Sequence, residues 1–179
     1  MVLIESALAM GRVKALLNFI DAVAEWSGKI FQYFVYLLVG VVVYDVVMRY
    51  AFHTPTLWGF EVSYFLYGAF FMLGGAYTLL HKGHVRVDVL YSHLSLRTRA
   101  IIDSICYLAL FFLFFGAILW GGLDYALTSW ALGEHTASAW APPLYWFKMV
   151  IPLAAFLLLL QGLAEFIRSL TLAVKGVKL

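Results

Sequence analysis

Four runs of about twenty apolar residues, each closed off by charge, leave this chain very few ways to fold. The first runs from Ile30 to about Met48, between Lys29 and Arg49, with one internal charge, Asp45. The second runs from about Trp58 to Leu80, with Glu61 in its first turn. The third runs from about Ile101 to Leu127, uncharged between Asp103 and Asp124. The fourth runs from Leu144 to about Phe166, with Pro142 and Pro143 just before it and Lys148 in its opening turns. A hydrocarbon core about 30 Å thick needs about 20 residues of helix to cross it. An open strand there would leave backbone donors and acceptors unpaired, so each run must be helical. The sequence therefore predicts an all-α integral membrane protein with four transmembrane helices. Composition agrees, since 64% of residues are hydrophobic and 12% charged, far from the balance of a water-soluble domain.

Residues Leu3 to Trp26 read differently. Leu16, Phe19, Ile20, Val23 and Trp26 recur at helical spacing, while Asn18, Asp21 and Glu25 share another face, the pattern of an amphipathic helix. It carries too much charge to span and has no basic start followed by a clean apolar core, so a cleaved signal peptide is not expected. The expected placement is along the cytoplasmic interface with the polar face in water; a soluble or disordered leader is the alternative. Residues 1–28 then form the interfacial helix and cytoplasmic N-terminus, 29–168 the four-helix transmembrane domain, and 169–179 a cytoplasmic tail. Pro152 should bend the fourth helix by removing one backbone donor.

An even number of spans puts both termini on one side, and Lys/Arg bias chooses the side. Arg12, Lys14, Lys29, Lys82, Arg86, Arg97, Arg99, Arg168, Lys175 and Lys178 fall on the terminal side, against Arg49 and Lys148 on the other. Both termini and the loop from His81 to Arg99 are therefore expected in the cytoplasm. Trp58, Trp120, Trp130, Trp140 and Trp146 then cluster at or near the outer face, as an aromatic belt, and the two outer segments could also receive a soluble partner.

The polar residues inside or beside the spans narrow the chemistry. Charges at a bilayer centre cost roughly 2.5–3.5 kcal/mol on insertion scales, and none is expected to be central here. Asp45 and Arg49 stand in the favourable i,i+4 order, and Glu61 and Lys148 occupy outer first turns, so an ion-pair cluster of structural role is expected. With no central carboxylate and no broken helix in view, no ion or substrate path is expected. Gln161 reads as an interhelical hydrogen-bonding residue. Haem would need paired histidines inside the spans, whereas His53, His81, His84, His93 and His135 fall in loops or at span ends. His81 and His84 alone are too few ligands for a convincing metal site. Cys106 is the only cysteine and reads as an apolar filler. No catalytic motif is present, a net charge of +2 gives no basis for nucleic-acid binding, and no cofactor is expected. Gly68, Ala69, Gly74, Gly75 and Ala76 in the second span, and Ala117 with Gly121 in the third, are expected helix contact faces.

Several local patterns together resemble the small membrane subunit of the tripartite ATP-independent periplasmic transporters, known as TRAP transporters. Arg49-Tyr50-Ala51-Phe52, Pro55, Trp58 and Glu61 look like the family's first outer loop and second helix start. Gly75-Ala76-Tyr77 follows, then His84-Val85-Arg86-Val87-Asp88, the most specific segment, with Leu94 and Arg97 beyond it. Gly133-Glu134, Ser138, Trp140, Pro142, Pro143, Lys148, Ile151-Pro152 and Leu160-Gln161-Gly162 resemble the last loop and helix. The resemblance implies a scaffold subunit in the bacterial inner membrane, not an enzyme. Its partners would be membrane lipids, a large membrane subunit that carries substrate and coupling sodium, and an extracytoplasmic substrate-binding protein. Substrates of such systems are organic acids. The large subunit is expected on a separate chain. Arg49, Trp58, Glu61, Glu134, Trp140 and Lys148 are the candidates for outer-side structure or docking, and His84, Arg86 and Asp88 for inner-loop structure or subunit contact. Two alternatives stay open: a self-sufficient homo-oligomeric exporter, which should carry a mid-span carboxylate, and a membrane anchor of a redox enzyme, which should bind haem or quinone.

Overall fold

The computed structural model describes residues 2–83 and 94–176, with side chains described for 11–83, 94–174 and Gly176. Its helices are α1 (Val2–Phe31), α2 (Tyr33–Tyr50), α3 (Gly59–Leu73), α4 (Gly75–Leu80), α5 (Leu96–Cys106), α6 (Phe112–Leu132), α7 (Tyr145–Lys148) and α8 (Val150–Lys175), with a π-helical turn, Tyr107–Phe111, between α5 and α6. No strand occurs among the described residues beyond an isolated bridge between His135 and Pro143. Four stretches are long and apolar enough to cross a membrane: Gly11–Tyr50, Gly59–Leu80, Leu96–Leu132 and Tyr145–Val174. The four expected spans are present, but the first, third and fourth run well past their hydrophobic limits. Charge marks where hydrocarbon ends, whereas turn chemistry marks where a helix ends. The third span opens at Ser95, whose hydroxyl accepts the Thr98 N–H at 3.2 Å, and closes at Gly133 with φ of 59°, the usual start and stop devices.

Each span carries one interruption. Between α1 and α2, Gln32 keeps helical dihedrals and its N–H reaches the Gly28 carbonyl at 2.9 Å, so the two run on as nearly one helix. At Gly74 the Thr78 hydroxyl also donates to the Gly74 carbonyl, at 3.0 Å, a back-bond that bends helices. The third span accommodates the π-helical turn. In the fourth, Pro152 has no N–H for the Lys148 carbonyl, and the interruption falls at Met149. Gln32, Gly74 and Met149 all stay in the right-handed helical region. These are bends, not unwound segments.

The fourth span is the hub. α8 packs against α1, α3, α4, α5 and α6, while α2 packs mainly on α3 and α6 mainly on α7 and α8. The spans therefore form an open layer in the order first, second, fourth, third, with α1 reaching across one end to α4 and α8. They do not close around a common centre. What is buried is mostly small: Ala69, Ala76, Ala100, Ala126, Ala154, Ala155, Ala164 and Ala173, with Leu17, Ile20 and Leu73 the large apolar exceptions among the described residues. Lipid tails are as apolar as leucine, so helices gain little by hiding large side chains and much by close backbone approach. Gly68 lies against Phe147, Gly75 against Leu158, Gly122 against Ile151 and Gly162 against Phe111. The contact face expected at Ala117 and Gly121 is not used within the chain. Ala117 is exposed and the space beside Gly121 is open, because α6 meets the fourth span through Gly122, Ala126 and Ser129 instead.

The N-terminal helix also differs from its expected form. Its packed stripe is Leu17, Ile20, Ala24 and Ser27, with Leu17 and Ile20 against Ala164. Of the apolar positions read from the sequence, only Ile20 is buried; Leu16, Phe19 and Trp26 are exposed. Asp21 and Glu25, expected in water, instead pair with Arg168 and His81. The periodicity was real, but its buried side is shifted towards the fourth span.

A side chain at Gly28 would collide with Tyr77, including its Cβ, which cannot swing away. Gly28→Ala should therefore destabilise the protein in detergent by about 1–3 kcal/mol. Gly40→Ala, where the space is open, should leave the melting temperature unchanged or slightly raised.

Candidate functional site

The polar residues collect at the two ends of the helix layer. At the end holding the 51–58 loop, Asp45 accepts the Arg49 guanidinium at 2.8 Å and the Thr56 N–H at 3.2 Å, and also takes the Thr56 hydroxyl. Thr56 Oγ1 in turn accepts the Gly59 N–H at 3.2 Å, at the opening of α3. A Cβ at position 59 would strike Thr56 and crowd Asp45, so glycine lets the helix start close against the carboxylate. Beside this lock, Trp58 stacks on Tyr44 with ring centroids 5.7 Å apart.

The second lock is built by the 133–144 loop. The Glu134 N–H donates to the Ser129 carbonyl at 3.1 Å, the Leu144 N–H to the Glu134 carbonyl at 2.8 Å, and the Thr136 N–H to the Pro142 carbonyl at 3.0 Å. These bonds turn the loop back on the layer and aim Glu134 inward. Its carboxylate takes the Lys148 ammonium and the Ser129 hydroxyl, the latter at 2.6 Å. Lys148 is only 5% exposed, and its Nζ sits 3.8 Å from the centre of the Tyr125 ring, a cation–π contact. The Lys148 ammonium, and next the Ser129 hydroxyl, hold the Glu134 carboxyl below the usual carboxylate range.

The single cluster expected of Asp45, Arg49, Glu61 and Lys148 is thus two separate ones, and Glu134 is the residue that answers Lys148. Glu61 joins neither by an ion pair, and its Oε2 is buried without a partner among the described residues. Trp140 is exposed in the 133–144 loop. His84, Arg86 and Asp88 lie outside the described residues.

At the other end, Arg168 bridges Glu165 at 2.6 Å and Asp21 of α1. Gln161, fully buried, donates to Asp21 at 3.2 Å, which meets its expected interhelical role. Glu25 pairs with Lys29 at 3.1 Å and His81 at 2.7 Å, and Arg97 donates to the Ala173 carbonyl at 3.0 Å. Sequence reasoning missed this end because it assigned α1 to the interface. The available signal was an acid pair one turn apart on α1 facing basic residues at the ends of the second and fourth spans.

Two residues stand well inside the end of α6. Asp124 lies about 12 Å inside the end of α6 at Leu132. Its neighbour Gly122 packs on Ile151 of the fourth span. Asp124 stands one residue from Tyr125, whose ring lies against Lys148 of the outer lock. It is exposed and has no partner among the described residues. Trp120, expected near the outer face, sits a further turn in and is 82% exposed.

Between the second and third spans lies an open groove lined mainly by Leu79, Cys106, Leu110, Phe111, Phe114 and Leu158, with Asp103 at its edge. The arrangement holds loops and helix ends in place with short, fixed polar contacts.

The Glu134 contact predicts a pH signature. A carboxyl held below its unfolded value contributes stability above that value and loses it as pH falls through the folded one. Glu134→Gln should lower the melting temperature at neutral pH. The gap from the native protein should persist to about pH 4 and close only below the ordinary glutamate range; a gap that closed near pH 6 would contradict the Lys148 contact.

Comparison with known proteins adds the family. No curated protein matches the chain. The DctQ component of the tripartite ATP-independent periplasmic transporters matches residues 38–172, which takes in most of the four spans, both polar locks and the segment joining the second span to the third. The chain therefore belongs to the DctQ component family of these transporters, as a multi-pass membrane component of a transporter, in a family that is not one of enzymes.

Proposed function

We propose that this protein is the static scaffold subunit of a sodium-coupled transporter that imports organic acids across the bacterial inner membrane. It would work with a large membrane subunit, which carries substrate and sodium, and an extracytoplasmic protein that delivers the substrate. Both termini would face the cytoplasm, as the Lys/Arg bias argues, with the Asp45 and Glu134 locks outside. The N-terminal half of α1 would lie at the inner interface, its exposed Leu16 and Phe19 meeting lipid.

The observation that carries this reading is the open layer. A chain that moved solute by itself would need a polar path enclosed between helices. Here the interhelical contacts are mostly to alanine and glycine, most charged groups are tied into locks at the ends, and many large apolar side chains face outward. Such a body supports something larger in the same membrane. Its two outer locks hold the 51–58 and 133–144 loops in fixed shapes, with exposed Trp140 available to a soluble partner and half-buried Trp58 and Glu61 supporting that surface from behind. On the inner side, His84, Arg86 and Asp88 are proposed to meet the large subunit.

The homo-oligomeric exporter should carry a mid-span carboxylate, and Asp124, inside the third span, is the candidate for it. That carboxylate points out of the layer, not into a passage, so it serves the scaffold reading better as a contact.

In mild detergent, the tagged chain should bring down a larger polytopic membrane protein in stoichiometric amount. Glu61→Ala and Arg86→Ala should each reduce transport or complex recovery severalfold, while the isolated binding protein keeps its substrate affinity. Solute flux from the chain alone in liposomes would overturn the scaffold role.

A further inference from the structure

We propose that the large membrane subunit seats one of its transmembrane helices along a single stripe of the third span, and that this helix presents a lysine or arginine to Asp124. The proposal rests on the scaffold reading and adds to it which face makes the contact and through what chemistry.

The stripe is read off the π-helical turn and α6. Leu110, Phe114, Ala117, Gly121, Asp124 and Thr128 follow one another at alternating steps of four and three residues, and all six are exposed. That spacing keeps one seam facing one neighbour and suits a helix crossing at about 20°. The seam starts in the apolar groove beside Leu79 and Leu158, which would take the partner's larger side chains. It then narrows to Ala117 and Gly121, where nothing lies within 4 Å of a Cβ built on Gly121, so a second backbone can come close. Asp124 follows one turn later.

Asp124 decides who the occupant is. It stands exposed inside the third span, Leu96–Leu132, where lipid tails would offer it neither a counter-charge nor a hydrogen bond. Lys148, the nearest cation along the fourth span, is already held by Glu134 and Tyr125. A partner cation within the membrane answers the charge. Trp120 on the flank, 82% exposed at this depth, would cover the side of such a helix. The outer face of α2 provides the contrast: Val39, Val42, Val43, Val46 and Val47 are exposed there with no charge among them. That face fits lipid.

The test is site-specific photo-cross-linking in the co-expressed native complex, with a photoreactive residue at Gly121 or, for comparison, at Val43. The cross-link from 121 should go to the large subunit, at a peptide within one helical turn of a lysine or arginine; 43 should give none. In parallel, Gly121→Leu should leave the melting temperature of the isolated chain unchanged, because the space beside it is empty, yet lower recovery of the large subunit roughly tenfold. Asp124→Leu should lower recovery too, and more than Asp124→Asn, which can still accept a hydrogen bond. Cross-links from 121 to a second copy of this chain or to lipid alone, with the large subunit still recovered, would overturn the stripe and leave the scaffold reading standing. Cross-links to the large subunit from 43 and not 121 would do the same. If the native chain recovers no large subunit at all, the scaffold reading fails and the stripe with it.

Discussion

Close backbone approach along the fourth span is the constraint on which the rest of this structure depends. In hydrocarbon, a buried leucine gains little over one facing lipid, so helices associate where small residues allow many short contacts. Ala154, Ala155 and Ala164 are buried on this helix, and Gly162 receives the Phe111 ring. Each small position admits a different neighbour: Ala154 lies with Ala69 and Leu73 of the second span, Ala164 with Leu17 and Ile20 of α1. A fourth span of large residues would push all three neighbours away at once. The open layer follows, because one helix with small contacts on several sides can hold the second and third spans on its two flanks.

Packing of that kind fixes distance better than register, and polar contacts complete the specification. A helix pair joined only by alanine and glycine can slide by a turn at little cost. Asp21 held by both Gln161 and Arg168 sets the register of α1 on the fourth span, and Lys148 held by Glu134 sets the returning loop on the same helix. The two locks stand at opposite ends of the hub. Lys148 also shows how a cation is kept at 5% exposure: a carboxylate, a ring face and a loop whose backbone bonds leave that carboxylate no other direction.

The four spans were legible because their signal, sustained hydrophobicity between charges, is a direct statement about solvent. Asp45–Arg49 and Gln161 were legible for a similar reason, since spacing and depth alone gave their roles. The lengths of the helices were not, because an apolar run that stops at Leu127 says nothing about a helix that continues to Leu132 through Thr128, Ser129 and Trp130. The pairing of Glu134 with Lys148 was also hidden, because it depends on a turn closed by backbone bonds across 134–144. Glu134 and Lys148 were each singled out, but only the fold shows them to be one unit. On α1 the periodicity was visible, yet periodicity alone does not say whether an apolar stripe meets lipid or Ala164.

The open layer leaves two broad faces of unequal character, and the difference bears on what a scaffold must do. A subunit that anchors a moving partner needs one face that lipid can wet freely and another that lipid wets poorly, so that detachment is costly. Valines along α2 meet the first requirement, as acyl chains solvate each of them well. The third span meets the second: a glycine with open space and a carboxylate inside the span without a partner among the described residues are each worse off in lipid than against protein. Their sum favours a filled face over a bare one without demanding a large buried area. Rigidity at the two ends then matters for the same reason, because a contact that depends on one carboxylate at one depth holds only while the helix bearing it stays in register with the hub.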